Sequence, residues 1–369
     1  MTSVAVSTPH KAEDFKFVND VAEGLEVSSV GQIKTSKVDP EVFLEAQKKV
    51  YGITHGDWRD DFVRDGYAIV RGAIPLDRAL GYRKRMLDYI QSFDNPELDL
   101  NDRSTWVAKN LPAHNKNNIY FSYCCAHEDF MWDVRLEPGV IAAFSTLWGT
   151  DELLVSFDGF NVSFPGRPDR DPAPGWPHVD QSPFKKGLHC AQGIVNLSNA
   201  DGPEDGSLTV VKGSHKLVPE FFENLDRESW EQRDFYSFSE EQYKDFLAKG
   251  CEVIKLDVAP GDLILWDSRT IHWGQEPSPK SNVIRTVIYA SYTPSRFATE
   301  DTIQMKAELF RRWCGSTHWA HDNLRPRLEI PLLPDGSKDP RSRTEPKNKP
   351  ELTDKLLRLA GVLPYDKLT

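Results

Sequence analysis

Three short stretches carry residues that could do chemistry together. In WPHVDQ (176–181), His178 and Asp180 stand at i and i+2. On a strand these positions share a face, so an imidazole nitrogen and a carboxylate oxygen can meet one metal ion. In PGDLILWDSRTIHWG (260–274), a turn leads into an apolar run and a polar exit, and His272 falls just past the run. If the sheets close so that this exit meets the earlier strand, His178, Asp180 and His272 form a facial triad. Two imidazoles and one carboxylate suit Fe(II) and leave adjacent positions for a cosubstrate and O₂, whereas zinc is more usually closed by a fourth ligand or keeps a single water. The third stretch is NVIRTVIY (282–289), where Arg285 interrupts an alternating strand. An arginine facing a core needs an anion, because an unpaired buried charge is expensive. A dicarboxylate cosubstrate chelating the metal at one end would supply that anion at the other.

Each signal is weak by itself. With ten histidines in the chain, roughly one His-x-Asp is expected by chance, and His127-Glu128-Asp129 is a second instance. Arg285 alone reads equally well as half of a salt bridge to a protein carboxylate. His215, in Gly-Ser-His-Lys, reads as a structural side chain in a turn; His318 and His321 lack a third ligand and read as a surface or packed pair; His189 reads as a strand residue. Lys185 and Lys186 read as a solvated loop. Phe157, Phe160, Phe164, Trp176, Phe184, Trp266 and Trp273 read as core or pocket wall, some of them lining a substrate cavity.

The elements that must position these residues are mostly strands. Short β-rich runs at 190–197, 208–211, 253–258, 262–266 and 283–292 are separated by Gly, Pro, Asn and Asp, and 153–164 reads as strand, a pattern that suggests a sandwich or barrel. Helical spacing appears at 74–90, with Leu80, Leu87 and Ile90 as its apolar positions, and at 140–148, ended by Gly149. Two further helical patterns at 219–250 form an insertion and a candidate lid. The expected organisation is an N-terminal arm (1–60), a β domain (61–300) carrying that insertion, and a C-terminal extension (301–369) with a solvated linker at 334–351 and a short helix at 352–363.

The 369 residues carry 45 Lys+Arg against 56 Asp+Glu, a formal charge of −11. With no dominant basic run, this argues against a nucleic-acid partner. No stretch approaches the roughly 18 continuous apolar residues of a membrane span, so no membrane partner is expected. Five irregularly spaced cysteines and an N-terminus without an apolar core fit a reducing, cytoplasmic setting. A homodimer is left open.

Taken together, the motifs resemble the phytanoyl-CoA dioxygenase-like branch of the Fe(II)/2-oxoglutarate oxygenases. The match covers roughly 62–292: FVRDGYAIVRGAIP, MWDVRLEPGVIAAFSTLWG, WPHVDQ, DGSLTVVKGSHK, APGDLILWDSRTIHWG and the arginine in NVIRTVIYA, in the family's order and spacing. The resemblance implies a mainly β fold with flanking helices, a double-stranded β-helix (jelly roll, cupin-like) with iron in its mouth. It implies that His178, Asp180 and His272 ligate Fe(II), that Arg285 binds the distal carboxylate of 2-oxoglutarate, and that Asn161, seventeen residues before His178, contacts the cosubstrate. Two positions depart from the family pattern: Lys212 replaces the proline before Gly213, and Gly274 replaces a serine beyond the distal histidine. The implied activity is oxidation, hydroxylation first, of a small molecule with release of succinate and CO₂. With Asp180 keeping a carboxylate among the ligands, halogenation is not expected. The alternatives are a metal-dependent hydrolase using His178 and Asp180, or a non-catalytic jelly-roll binding protein.

Overall fold

The computed structural model describes residues 38–230, 233–328 and 330–365. Thirteen strands among them are β1 (Tyr67–Val70), β2 (Ile119–Tyr120), β3 (Leu153–Val155), β4 (Phe160–Ser163), β5 (His178–Val179), β6 (Ala191–Asn196), β7 (Ser207–Lys212), β8 (Tyr236–Ser237), β9 (Glu252–Lys255), β10 (Leu263–Asp267), β11 (His272–Gln275), β12 (Arg285–Tyr289) and β13 (Tyr292–Pro294). They form a six-stranded sheet in the order β1-β10-β6-β12-β4-β2, a five-stranded sheet in the order β8-β5-β11-β7-β9, and the pair β13-β3. Every pairing is antiparallel, and the two larger sheets face one another as a jelly roll. Between them lie Ile194, Leu208, Val210, Ile264, Trp266 and Val287, contributed by β6, β7, β10 and β12.

Helices cover the outer faces. α1 (Glu41–Tyr51), α2 (Trp58–Asp65), α3 (Leu76–Gln91), α4 (Asp129–Arg135) and α5 (Pro138–Trp148) contribute to the largest apolar cluster, together with α8 (Glu300–Arg311) and α9 (Asp354–Leu359). α6 (Ser214–Glu223) and α7 (Glu240–Ala248) place Val218, Phe222 and Phe246 against Val179, Val211, Ile271 and Trp273 of the five-stranded sheet. The insertion expected at 219–250 therefore begins at Ser214, and its helices pack on that sheet rather than standing free as a lid. His215 accordingly sits in the first turn of a helix, buried, with Nε2 3.2 Å from the Val63 carbonyl, rather than in a loop turn.

Several other expectations change. Residues 41–60 are not an arm: Phe43, Ala46 and Val50 of α1 are buried, and Phe43 stacks on His189 at 3.6 Å between ring centroids. Their i, i+3, i+7 spacing is a helix stripe. The part of the arm from 1 to 37 lies outside the described residues. In α3 the buried face is Ala79, Met86, Tyr89 and Ile90, while Leu80 is 47 % exposed. The continuous strand expected at 153–164 is two strands in different sheets, broken at 156–159. The stretch 334–351 is held down by single polar anchors: Tyr123 donates to Asp339 (2.6 Å), and Glu128 accepts from the backbone N–H groups of Lys347 (2.6 Å) and Asn348 (3.0 Å). Anchors of this kind leave no periodic trace in a sequence. The short C-terminal helix does pack back, burying Leu356, Leu357 and Leu359.

α8 also carries a buried cation. Lys306 is fully buried, donates to the Val155 carbonyl and lies 3.6 Å over the Phe157 ring. Burial, with Arg135 adding to it, pulls its ammonium well below the ordinary 10.5. Between the native and unfolded values the unfolded chain holds the extra proton, so this group costs stability at neutral pH and ceases to do so as pH rises toward ~10.5. Lys306→Met is therefore expected to raise Tm at pH 7 by a few degrees, with the gain shrinking near pH ~10, as thermal melts at the two pH values would read.

Candidate metal and cosubstrate site

The two imidazoles meet because two strands pair in one register. β11 lies between β5 and β7, with His272 directly opposite His178 on one side and Val210 on the other. The rings are 4.3 Å apart between centroids. Asp180 follows β5 by one residue, and its backbone N–H donates to the Ser268 carbonyl (3.1 Å) in the link from β10 to β11. His178 Nε2 is 3.7 Å from one Asp180 oxygen and His272 Nε2 is 3.2 Å from the other. One ligand atom from each of the three lies within 4.8 Å of the others.

The chemistry of these donors fits a divalent metal. Each histidine turns Nδ1 to a backbone carbonyl at 2.9 Å, His178 to Trp176 and His272 to Thr270. A ring that donates Nδ1–H presents a bare Nε2 lone pair, the form a metal takes. Burial, with His272 adding to it, lowers the His178 pKa and favours the neutral ring. Burial alone would raise the Asp180 carboxyl, but His178 and His318 beside it and the close approach of both facing imidazoles hold it well below the ordinary range, so it is ionised.

The surroundings fix these positions. Trp176 stacks flat on His178 at 3.8 Å, and Phe235 and Trp266 lie 5.3 Å and 5.1 Å from His178 and His272 respectively. The link before His272 is clamped by Thr270 Oγ1, which donates to the Gly66 carbonyl (2.8 Å). Gly66 has φ +86°, and a Cβ there would stand 2.4 Å from His215 Nδ1 and 2.5 Å from Thr270 Oγ1, so the glycine of FVRDGYAIV is required for this approach.

Gln192 was not a sequence candidate. Buried on β6, it donates from Nε2 to Asp180 Oδ2 (3.0 Å) and so orients the carboxylate. A polar residue inside the apolar run AQGIVN was the available signal.

The structure places Arg285 and Asn161 together. β12 pairs with β4 so that Arg285 faces Ser163 and Val287 faces Asn161. Arg285 Nη1 donates to Asn161 Oδ1 (2.7 Å), which also accepts from Ser163 Oγ (2.8 Å), while Asn161 Nδ2 donates to the Asn117 carbonyl (2.7 Å). The amide thus buttresses the guanidinium. Among the described residues no carboxylate bonds to Arg285, and its buried Nε has no partner. Burial lowers its pKa, with Tyr289 and Glu276 acting the other way. Glu276 itself is taken up by Arg170. A small pocket lined by Asn161, Ser163, Gly274, Arg285, Tyr289 and Trp176 opens here. Trp176 and Gly274 connect it to the triad: one stacks on His178, and the other lies two residues past His272 with nothing within 4 Å of where its Cβ would stand.

The remaining candidates have other roles. His127 Nε2 lies 3.0 Å from the Cys314 carbonyl, and His321 is buried with Nδ1 3.1 Å from Thr293 Oγ1. Lys185, expected in a solvated loop, pairs with Asp234 (2.6 Å) and Asp322 (2.9 Å) with its side chain 10 % exposed. Its partners are distant in sequence, so nothing local announces them.

Comparison with known proteins agrees with this geometry. Residues 62–281 match the family model for phytanoyl-CoA dioxygenase (PhyH). The chain is 41 % identical over 273 residues to the Ava biosynthesis cluster protein O of Aspergillus versicolor, covering 72 % of this chain and 87 % of that one. Its fold is similar to that of GlcNAc Inducible Gene 2 from Candida albicans, at a TM-score of 0.54 and 15 % identity over 84 % of this chain and 76 % of that one. A weaker likeness, TM-score 0.41 at 14 % identity over 67 % of this chain and 90 % of the other, is to HygX from Streptomyces hygroscopicus with nickel, 2-oxoglutarate and hygromycin B bound. The fold and the His-Asp-His cluster define a non-haem metal oxygenase of the jelly-roll class. The chain belongs to the phytanoyl-CoA dioxygenase family, and it is an Fe(II)/2-oxoglutarate-dependent enzyme. No helix among the described residues is long and apolar enough to cross a membrane.

Removing the orienting bond to Asp180 should loosen the metal without unfolding the sheet. Gln192→Leu is expected to weaken Co(II) or Fe(II) binding by about tenfold or more, read by anaerobic metal titration, with Tm of the metal-free protein little changed.

Proposed function

We propose that the enzyme couples oxidative decarboxylation of 2-oxoglutarate, giving succinate and CO₂, to oxidation of a small-molecule substrate, with hydroxylation as its outcome. Asn161, Arg285 and the triad have distinct parts in this reading. His178, Asp180 and His272 would hold the iron, a three-ligand set that suits a metal also taking up cosubstrate and O₂. When bound, Fe(II) supplies the activation of O₂ that neither imidazole nor carboxylate can provide. The cross-strand pairing of His178 with His272, with Asp180 in ligand reach of both, is the observation that carries the proposal.

The protein groups orient and neutralise. The Trp176 and Thr270 carbonyls keep both imidazoles in the ligating tautomer, and Gln192 turns the Asp180 carboxylate. Arg285 pairs with the distal carboxylate of 2-oxoglutarate, whose charge offsets a guanidinium that no carboxylate among the described residues bonds. In the reading from sequence Asn161 touches the cosubstrate; the observed bonds favour a role one step back, aiming Arg285. Trp176 walls both the metal ligand and the Arg285 pocket, excluding water from between them.

A relative named for a biosynthesis cluster favours a specialised metabolite as the substrate. The same oxidation could be diverted to desaturation, epoxidation or ring formation by substrate placement.

The test is an anaerobic titration of metal-free protein with Fe(II) and 2-oxoglutarate, following the visible charge-transfer band. The band is expected to saturate in wild type and to be lost in His272→Ala. Arg285→Ala should raise the Kd for 2-oxoglutarate at least about tenfold while leaving metal uptake in place. A hydrolase using His178 and Asp180 would have no need of Arg285, so normal 2-oxoglutarate binding by that variant would sink the cosubstrate assignment.

A further inference from the structure

Two polar side chains, on loops joined to each other beside the cosubstrate pocket, are used by neither the metal nor the cosubstrate site. Asp158, in the link between β3 and β4, is 8 % exposed. One carboxylate oxygen accepts from the Gly159 backbone N–H (2.8 Å), and no other group among the described residues donates to that carboxylate. His318 lies on the loop 315–323 that follows α8. Neither of its ring nitrogens bonds to a described residue, and Nε2 is buried.

The loop is fastened on both sides of His318. The Ser316 backbone N–H donates to the carbonyl of Phe157 (2.7 Å), the residue before Asp158. Beyond His318, Asp322 pairs with Lys185 (2.9 Å), whose ammonium lies 3.8 Å over the Trp319 ring and also pairs with Asp234 (2.6 Å). Lys185 is five residues past Asp180 in the loop leaving the metal strand. The loop thus runs from the Asp158 corner to the metal-strand corner and holds His318 between them. The Asp158 corner adjoins the cosubstrate pocket: the Tyr289 backbone N–H donates to the Gly159 carbonyl (3.3 Å), and Tyr289 lines that pocket beside Arg285. An aromatic ring flanks the corner, since the Cβ position of Gly159 is 3.2 Å from the Phe121 ring.

We propose that Asp158 and His318 are the polar docking pair for the substrate beside the metal, and that the substrate presents to them a hydrogen-bond-donating hydroxyl or ammonium group next to an apolar body. The proposal rests on the oxygenase reading above. An ionised carboxylate only accepts, and burying one with a single bond is costly unless a ligand donor completes it. An imidazole can donate or accept, so it can serve a hydroxyl that donates to Asp158, or share an ammonium with it. The strap formed by Lys185, Asp322 and Trp319 explains why the pair stands ready before substrate arrives.

Saturation-transfer NMR on the zinc-substituted, 2-oxoglutarate-loaded protein tests this with three probes of one shape: 2-phenylethanol, 2-phenylethylamine and ethylbenzene. Wild type is expected to bind one of the first two roughly tenfold more tightly than ethylbenzene, the alcohol marking a hydroxyl site and the amine an ammonium site. Asp158→Asn, which keeps the bond to Gly159, and His318→Leu, which removes no bond to a described residue, are each expected to abolish that preference while retaining the Fe(II)/2-oxoglutarate band. Equal or undetectable binding of all three probes by wild type overturns the proposal. So does a preference that survives in the variants, or loss of the band along with it. Absence of the band in wild type would overturn the oxygenase reading instead, which keeps the two failures distinct.

Discussion

The site depends on one cross-strand pair, His272 opposite His178. Side chains alternate faces along a strand, so a one-residue slip of either strand would turn an imidazole away and dissolve the cluster. β5 contributes only two residues and could not hold that register alone. Its position is fixed from outside: β11 is paired with β7 over four residues, β8 pairs with the far edge of β5, and Asp180 is tied by its backbone to Ser268. Behind these stands the link from β10, clamped through Thr270 to Gly66. A turn at the start of the jelly roll thereby sets the position of a candidate ligand some two hundred residues later.

The charges around this pair are arranged in complementary compartments. On the metal side an ionised carboxylate stands between two imidazoles that turn Nδ1 to backbone carbonyls, a donor set suited to a divalent cation. On the Arg285 side the carboxylate that lines the pocket, Glu276, is occupied by Arg170, and an amide rather than an acid steadies the guanidinium. That leaves a positive charge to be matched by a ligand. Arg135, another buried cation without a carboxylate bond among the described residues, is surrounded by carbonyls instead: it donates to the Ala126 (2.6 Å) and Asp158 (2.7 Å) carbonyls, and burial pulls it down to about 10. The second of those bonds holds the backbone of Asp158 itself, so the frame of the site and the core share a support.

The sequence by itself determined which residues could ligate. His178-x-Asp180 and His272 were legible because strand geometry requires period two and because a polar exit from an apolar strand is conspicuous. The antiparallel β character, the helix ended by Gly149 and the isolated arginine on β12 were legible for similarly local reasons. The helix stripe of Phe43, Ala46 and Val50 is equally local, but the polar residues before it give the whole segment the composition of an arm. Tertiary structure alone decided the rest. The orienting Gln192, the turning of Asn161 toward Arg285, the capture of Lys185 by Asp234 and Asp322, and the tie of Ser316 to Phe157 all join residues far apart in the chain. Such contacts follow from register and loop path. These are set by packing over the whole molecule, and local residue pattern carries no record of them.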